Sequence, residues 1–306
     1  MKKLFLAASA MCAVAAVIAM PASAVAPTVV YDNIPTPQPG NVPSQAFEAT
    51  QTSEFGGQVQ LAGTQRQNPT VTVLMSSWGC QSGHWYSGDC ATTPGATFPT
   101  TITLNLYKVG AGGAVGPLIA GGTQTQTFAI PYRPSASATC GDGRWFDGTT
   151  CFNGYATPVS FTLSGVTLPS KLIVSVAYNT THFGYAPIGE SAACYSSSGG
   201  CGYDSLNVGL VPLPTTGTAP QPSDAYLNSS TGGQYCDGGA GGTGTFRLDA
   251  GCWTGYQPAF RIAAVTINVP ADANACKNNG WQTATRADGS TFKNQGDCIQ
   301  YVNTGK

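Results

Sequence analysis

The stretch Thr101-Ile102-Thr103-Leu104-Asn105-Leu106-Tyr107-Lys108-Val109 decides the fold class. Ile102, Leu104 and Leu106 alternate with Thr101, Thr103 and Asn105, so one face is apolar and the other polar. A period of two, rich in β-branched residues, is the pattern of a strand with one face on a core. The same reading works outward from it. Thr70 to Ser77 sets Val71, Val73 and Met75 on one side, and Val159 to Val166 does so with Val159, Phe161 and Leu163. Lys171 to Tyr178 is apolar on both faces, through Leu172, Val174 and Val176 and through Ile173 and Ala177, and reads as a central strand. Gln124 to Tyr132, Leu206 to Val211, Gly244 to Leu248 and Pro258 to Val269 complete the set. Clusters of Gly, Pro, Asn and Ser separate these runs, and no segment holds a helical period or a fixed repeat. The expectation is an all-β, disulfide-stapled sandwich of jelly-roll-like type over residues 45–269. A proline-rich extended lead-in spans 25–44, with room for a short strand at Val29-Val30-Tyr31. A small unit over 270–306 carries its own cysteine pair, and Asn294 or Asp297 could start a short final helix there.

The first 24 residues read as a signal peptide: Lys2 and Lys3, an apolar run from Leu4 to about Met20, then the small-residue cleavage pattern Ala22-Ser23-Ala24. The chain is therefore expected to be secreted. No other run approaches the length of a membrane span. Of 11 cysteines, Cys12 lies in the leader, and the remaining ten fall into five close pairs. These are Cys80 with Cys90, Cys140 with Cys151, Cys194 with Cys201, Cys236 with Cys252, and Cys276 with Cys298. In an oxidising compartment an even set reads as disulfides. Zinc would want C-x2-C spacings and nearby histidines, and the chain has only His84 and His182. Proximity is a preference among many connectivities. Loops of this size gain roughly 2.5–3.4 kcal/mol each in the chain-entropy treatment.

Charge is sparse. Removing Lys2 and Lys3 from 13 basic residues leaves 11 against 14 acidic ones. With no basic patch, nucleic acid is not an expected partner. All 5 tryptophans stand in or beside a cysteine pair. Trp78, Trp85 and Tyr86 go with the first, Trp145 with the second, Trp253 and Tyr256 with the fourth, and Trp281 with the last. Rings held on a rigid scaffold can stack on sugar faces while Asn, Asp and Gln bond hydroxyls. The competing reading is that each ring packs over its own disulfide.

No sequence signature marks a catalytic residue, a metal site or a cofactor. The glutamates Glu48, Glu54 and Glu190 form no paired-carboxylate motif. A glycosidase would have to gather acids such as Asp142, Asp147 and Asp204 from separate strands. Asp142-Gly143 and Asp147-Gly148 lack the calcium-loop pattern and read as turns. Leu213-Pro214-Thr215-Thr216-Gly217 matches a sorting pentapeptide but precedes no apolar tail, so it reads as a loop.

Several segments carry a resemblance: 58–64 (QVQLAGT), 71–80, 92–98 (TTPGATF), 130–135 (IPYRPS), 204–208 and the tail Cys276…Gly280-Trp281…Phe292-Lys293-Asn294-Gln295-Gly296-Asp297-Cys298…Tyr301-Val302. The chain resembles a group of exported bacterial β-rich proteins of actinobacterial type. The resemblance implies export and a β-rich fold and carries over no activity. The expected function is non-enzymatic binding of an extracellular or cell-envelope ligand, glycan-like, through the stapled aromatic loops. The alternatives are a structural surface protein without a ligand and a secreted hydrolase using carboxylates from separate strands.

Overall fold

A computed structural model describes residues 26–85, 88–179, 206–287 and 289–306. Two antiparallel sheets carry the fold. The first contains β1 (Thr28–Asp32), β2 (Ser44–Gln45), β4 (Gln67–Ser77), β9 (Tyr155–Thr162), β11 (Leu206–Val211), β14 (Gln257–Pro258) and β15 (Phe260–Val265). The second contains β3 (Thr52–Gln60), β5 (Thr97–Val109), β6 (Val115–Pro131), β10 (Lys171–Tyr178), β12 (Asp224–Ser229) and β13 (Arg247–Ala250), in the order β13-β12-β3-β10-β5-β6. A separate two-stranded ribbon pairs β7 (Trp145–Phe146) with β8 (Cys151–Phe152).

In the first sheet β4 is the hub. One edge meets β15 along Gln67 to Val73 and then β11 along Met75 to Ser77. The other edge takes β9 from Thr70 to Ser77. In the second sheet β10 lies between β3 and β5, which is the central place its doubly apolar sequence implies. The inner faces share one apolar cluster. Val71, Val73 and Met75 meet it from one side, and Ile102, Leu104, Leu106, Leu172, Val174 and Val176 from the other. The chain is thus a sandwich, and the alternation at 101–109 faces inward as read.

The lead-in over 25–44 is not set apart from this sandwich. Its β1 pairs with β15, and Val30 and Tyr31 belong to the shared core. Beyond the two-residue strands, β3 and β12 are the strands that the expected set lacked. β3 contains Gly56-Gly57, a pair that weakens the interior of a strand. In the fold these glycines let neighbouring elements close in: a Cβ on Gly56 would collide with the Val174 carbonyl and Ser175. Leu213 to Gly217 is a loop, as expected, bridged to β1 through Asp32 and Thr216.

Residues 268–306 form a second compact unit. Its helix α1 (Gln295–Thr304) is capped by Asn294, whose Oδ1 accepts the Asp297 N–H at 2.9 Å. Cys276, Ala284, Phe292 and Cys298 make its small core. Arg286 pairs with Asp297 at 2.7 Å and lies 4.6 Å over the Phe292 ring. Burial opposes the Asp297 charge, but the Lys293 N–H and Arg286 outweigh it and hold the carboxyl below its ordinary value.

Candidate functional site: the doubly stapled loop end

Four of the five expected disulfides are formed as proximity suggests: Cys80–Cys90, Cys140–Cys151, Cys236–Cys252 and Cys276–Cys298. The fifth expected disulfide, between Cys194 and Cys201, is not among the bonds of the described residues. Cys194 and Cys201 both lie outside those residues, as does Tyr86. The pairing of Cys201 with Cys194 therefore rests on their spacing alone.

The first two staples converge at one end of the sandwich. What joins them is Arg133, whose side chain is 0% exposed. Its guanidinium donates to the carbonyls of Gly143 (2.6 Å), Trp85 (3.4 Å) and Pro134 (3.4 Å). A planar fork with five donors suits this task, since it can hold carbonyls from separate loops at once. The loops are also laced by the Ala136 N–H to the Cys90 carbonyl and by Ser135 Oγ, which accepts the Thr92 N–H at 2.9 Å.

The aromatic residues divide sharply in this setting. Trp145 is 6% exposed, and its Nε1 donates to the Gly154 carbonyl at 2.7 Å. It packs on Phe152 and edge-on against Tyr155. The expectation that Trp145 offers its ring to a ligand is therefore corrected: the ring is committed to packing. Trp78 meets Trp85 edge-on at 4.9 Å and donates to Ser76 Oγ at 3.1 Å. Both are half-buried. Gly154 threads between these groups; a Cβ there would stand 2.7 Å from Trp78 Nε1. Trp253 also turns inward. It leans on buried Phe55 at 5.1 Å and donates to Asp249 Oδ2 at 2.8 Å. Tyr256, in contrast, is 49% exposed beside the fourth staple.

The concave surface at the stapled end is lined by tyrosines and prolines that the sequence reading did not single out. A cleft of about 440 Å³ is lined by residues including Tyr132, Tyr155, Pro94, Pro131, Pro134 and Thr97. Each of its two rings has a buried ring behind it: Phe98 at 4.8 Å from Tyr132, and Trp145 at 5.6 Å from Tyr155. Ile130 to Ser135, already marked by the resemblance, supplies one wall. Nothing in that run except its Tyr-Arg-Pro density points to a cleft.

The carboxylates have other duties. Asp147 caps its own turn, accepting the Thr150 and Thr149 N–H groups at 2.7 and 2.8 Å; these bonds hold its carboxyl below the usual range. Asp142 has a side chain 93% exposed on a turn. Asp32 and Asp237 pair with Arg261 and Arg247, each at 2.8 Å. Buried Asp249 accepts the Cys236 N–H at 2.8 Å as well as the Trp253 indole. Cys236, Asp249 and Cys252 crowd within 4.8 Å, but both sulfurs are bonded to each other. Glu54, 9% exposed on the outer face of the second sheet, accepts from Asn105 and Tyr107 at 3.0 Å and from Ser175 at 2.5 Å. His182, Glu190 and Asp204 lie outside the described residues.

No family model, no curated protein and no solved structure matches the chain.

Proposed function

We propose that this protein is an exported binding protein whose cleft at the doubly stapled end takes a hydroxyl-rich, glycan-like ligand of the extracellular space or cell envelope. The observation that carries the reading is the cleft itself, about 440 Å³ and lined by Tyr132, Tyr155 and three prolines. That size falls in the range of small-ligand sites, roughly 300–1,000 Å³. Tyrosine offers an apolar ring for a sugar's C–H face and a hydroxyl for its edge. Thr92, Thr97 and Ser135 add hydroxyls to the same wall. Disulfides and the Arg133 fork fix the walls before binding, so little ordering entropy is spent on association. Export accounts for the leader-like start and for the bonded cysteines together.

The test is isothermal titration against cell-wall oligosaccharides and a glycan array. Tyr132→Ala and Tyr155→Ala should each weaken binding by about tenfold or more, the scale of a lost ring contact of about 1.4 kcal/mol. The Phe variants, which keep the ring, should retain most affinity. Silence of the folded wild type on every glycan would overturn the reading. So would binding that survives both alanine variants.

A further inference from the structure

Edge strands expose a row of unpaired N–H and C=O groups, and proteins usually blunt them with short length, charge, proline or bulges. Most edges of this sandwich obey. β1 has 5 residues, β13 has 4 and carries Arg247 and Asp249, β14 has 2 and includes Pro258, and β9 is interrupted by Pro158. β6 does not. It is the terminal strand of the second sheet and runs for 17 residues, Val115–Pro131. It contains no charged residue, and between Pro117 and Pro131 it contains no proline. Its register with β5 is irregular only near Tyr107 and is continuous from Thr123 to Pro131. Among the described residues no strand pairs with its other edge.

The sequence of this edge complements itself. In an antiparallel pairing centred on Thr125, Thr123 faces Thr127, Gln124 faces Gln126, and Thr125 faces its own copy. The threonines lie on the outer face, where Thr125 and Thr127 already bond Thr103 and Thr101 at 2.8 Å. The second copy would extend that hydroxyl ladder. On the other face stands Gln124, whose buried Oε1 has no hydrogen-bond partner. Gln126 of the second copy falls directly opposite Gln124, and two facing amide side chains carry both donors and acceptors for each other. With no charge on either strand, two identical edges meet without repulsion. A two-fold interface requires this kind of self-matching.

We propose that β6 is a homotypic docking edge: two copies of the chain pair antiparallel along Thr123 to Thr127 and join their second sheets into one continuous sheet. Sedimentation velocity on the wild type should show a dimer that dissociates on dilution. Thr125→Lys and Thr125→Asp each set like charges face to face and should raise the dissociation constant about tenfold or more. An equimolar mixture of the two variants should recover dimer. Because facing Cα atoms in such a pair lie about 4.5–5.5 Å apart, Thr125→Cys should cross-link across the axis under oxidation. Thr101→Cys, on the neighbouring strand, should not. A wild type that stays monomeric up to its solubility limit would sink the proposal. A dimer in which Thr125→Cys links no better than Thr101→Cys would sink it equally.

Discussion

Two buried ionisable side chains show how single residues organise this protein. Arg133 is enclosed by carbonyls from both stapled loops and from its own segment. A charge so placed is stable only while its donors are satisfied, and the carbonyls in turn depend on it. Arg133→Met keeps the bulk and removes the fork. It should lower stability by about 3 kcal/mol, the cost of leaving buried acceptors without donors. Urea unfolding measures this; a loss below about 0.5 kcal/mol would mean that the fork does not anchor the loops. Glu54 plays the matching part on the second sheet, drawing Asn105, Tyr107 and Ser175 to one oxygen. It also explains a strand that escaped the sequence reading. A glutamate followed by a phenylalanine and two glycines does not look like a sheet interior, yet β10 and β5 supply its donors.

At the scale of elements, β4 and β5 were legible because each alternates toward the shared core, and β10 because its run is apolar on both faces, the pattern of a central strand. β3 and β12 were not, because their other faces are also covered and their polar groups are paired across the sheet, as Tyr226 is with Gln58 at 3.0 Å. The four described staples were legible by spacing, and α1 by the Asn294 cap. What the staples do was less so. The indoles of Trp145 and Trp253 pack inward with satisfied N–H groups, while Tyr132 and Tyr155 line the cleft. Indole has the largest apolar area to bury, so it is drawn beneath a loop when a buried acceptor is within reach. Replacing Cys80 and Cys90 together by Ser removes a link of sequence separation 10. The expected loss is about 2.7 kcal/mol in the chain-entropy treatment. Limited proteolysis should then cut first within 80–92, with the strands protected; cleavage unchanged from wild type would show that Arg133 alone holds the loop.

For the whole molecule, the two sheets of the sandwich share an apolar core, and its phenols set an alkaline limit. Burial pushes the Tyr31, Tyr107 and Tyr226 hydroxyls well above the ordinary tyrosine value, with the neighbouring charges of Asp32, Glu54 and Asp224 acting in the same direction. In the unfolded chain each gives up its proton near pH 10. Above that pH the folded state therefore holds more protons than the unfolded one, and stability falls as pH rises. Below it the contribution is complete. Thermal unfolding should accordingly be flat from about pH 7 to 9 with respect to these groups and drop steeply above about pH 10. Tyr226→Phe should soften the drop, and an unchanged profile in that variant would exclude its phenol as a contributor.

The sequence by itself determined an all-β chain and the core faces of the regular strands; it favoured the four described cysteine pairings by spacing and narrowed the start of the final helix to Asn294 or Asp297, of which the structure uses Asn294. These are properties of neighbours along the chain: a period of two, a short loop that closes on itself, a side chain bonding a backbone group three residues on. Only the tertiary structure decided that Arg133 ties two loops together, that Glu54 gathers donors from two further strands, that tyrosines rather than tryptophans line the cleft, and that β6 is left at an uncharged edge. Each of those depends on groups brought together from distant segments, and on which side of a strand is already occupied. Local pattern carries no record of that.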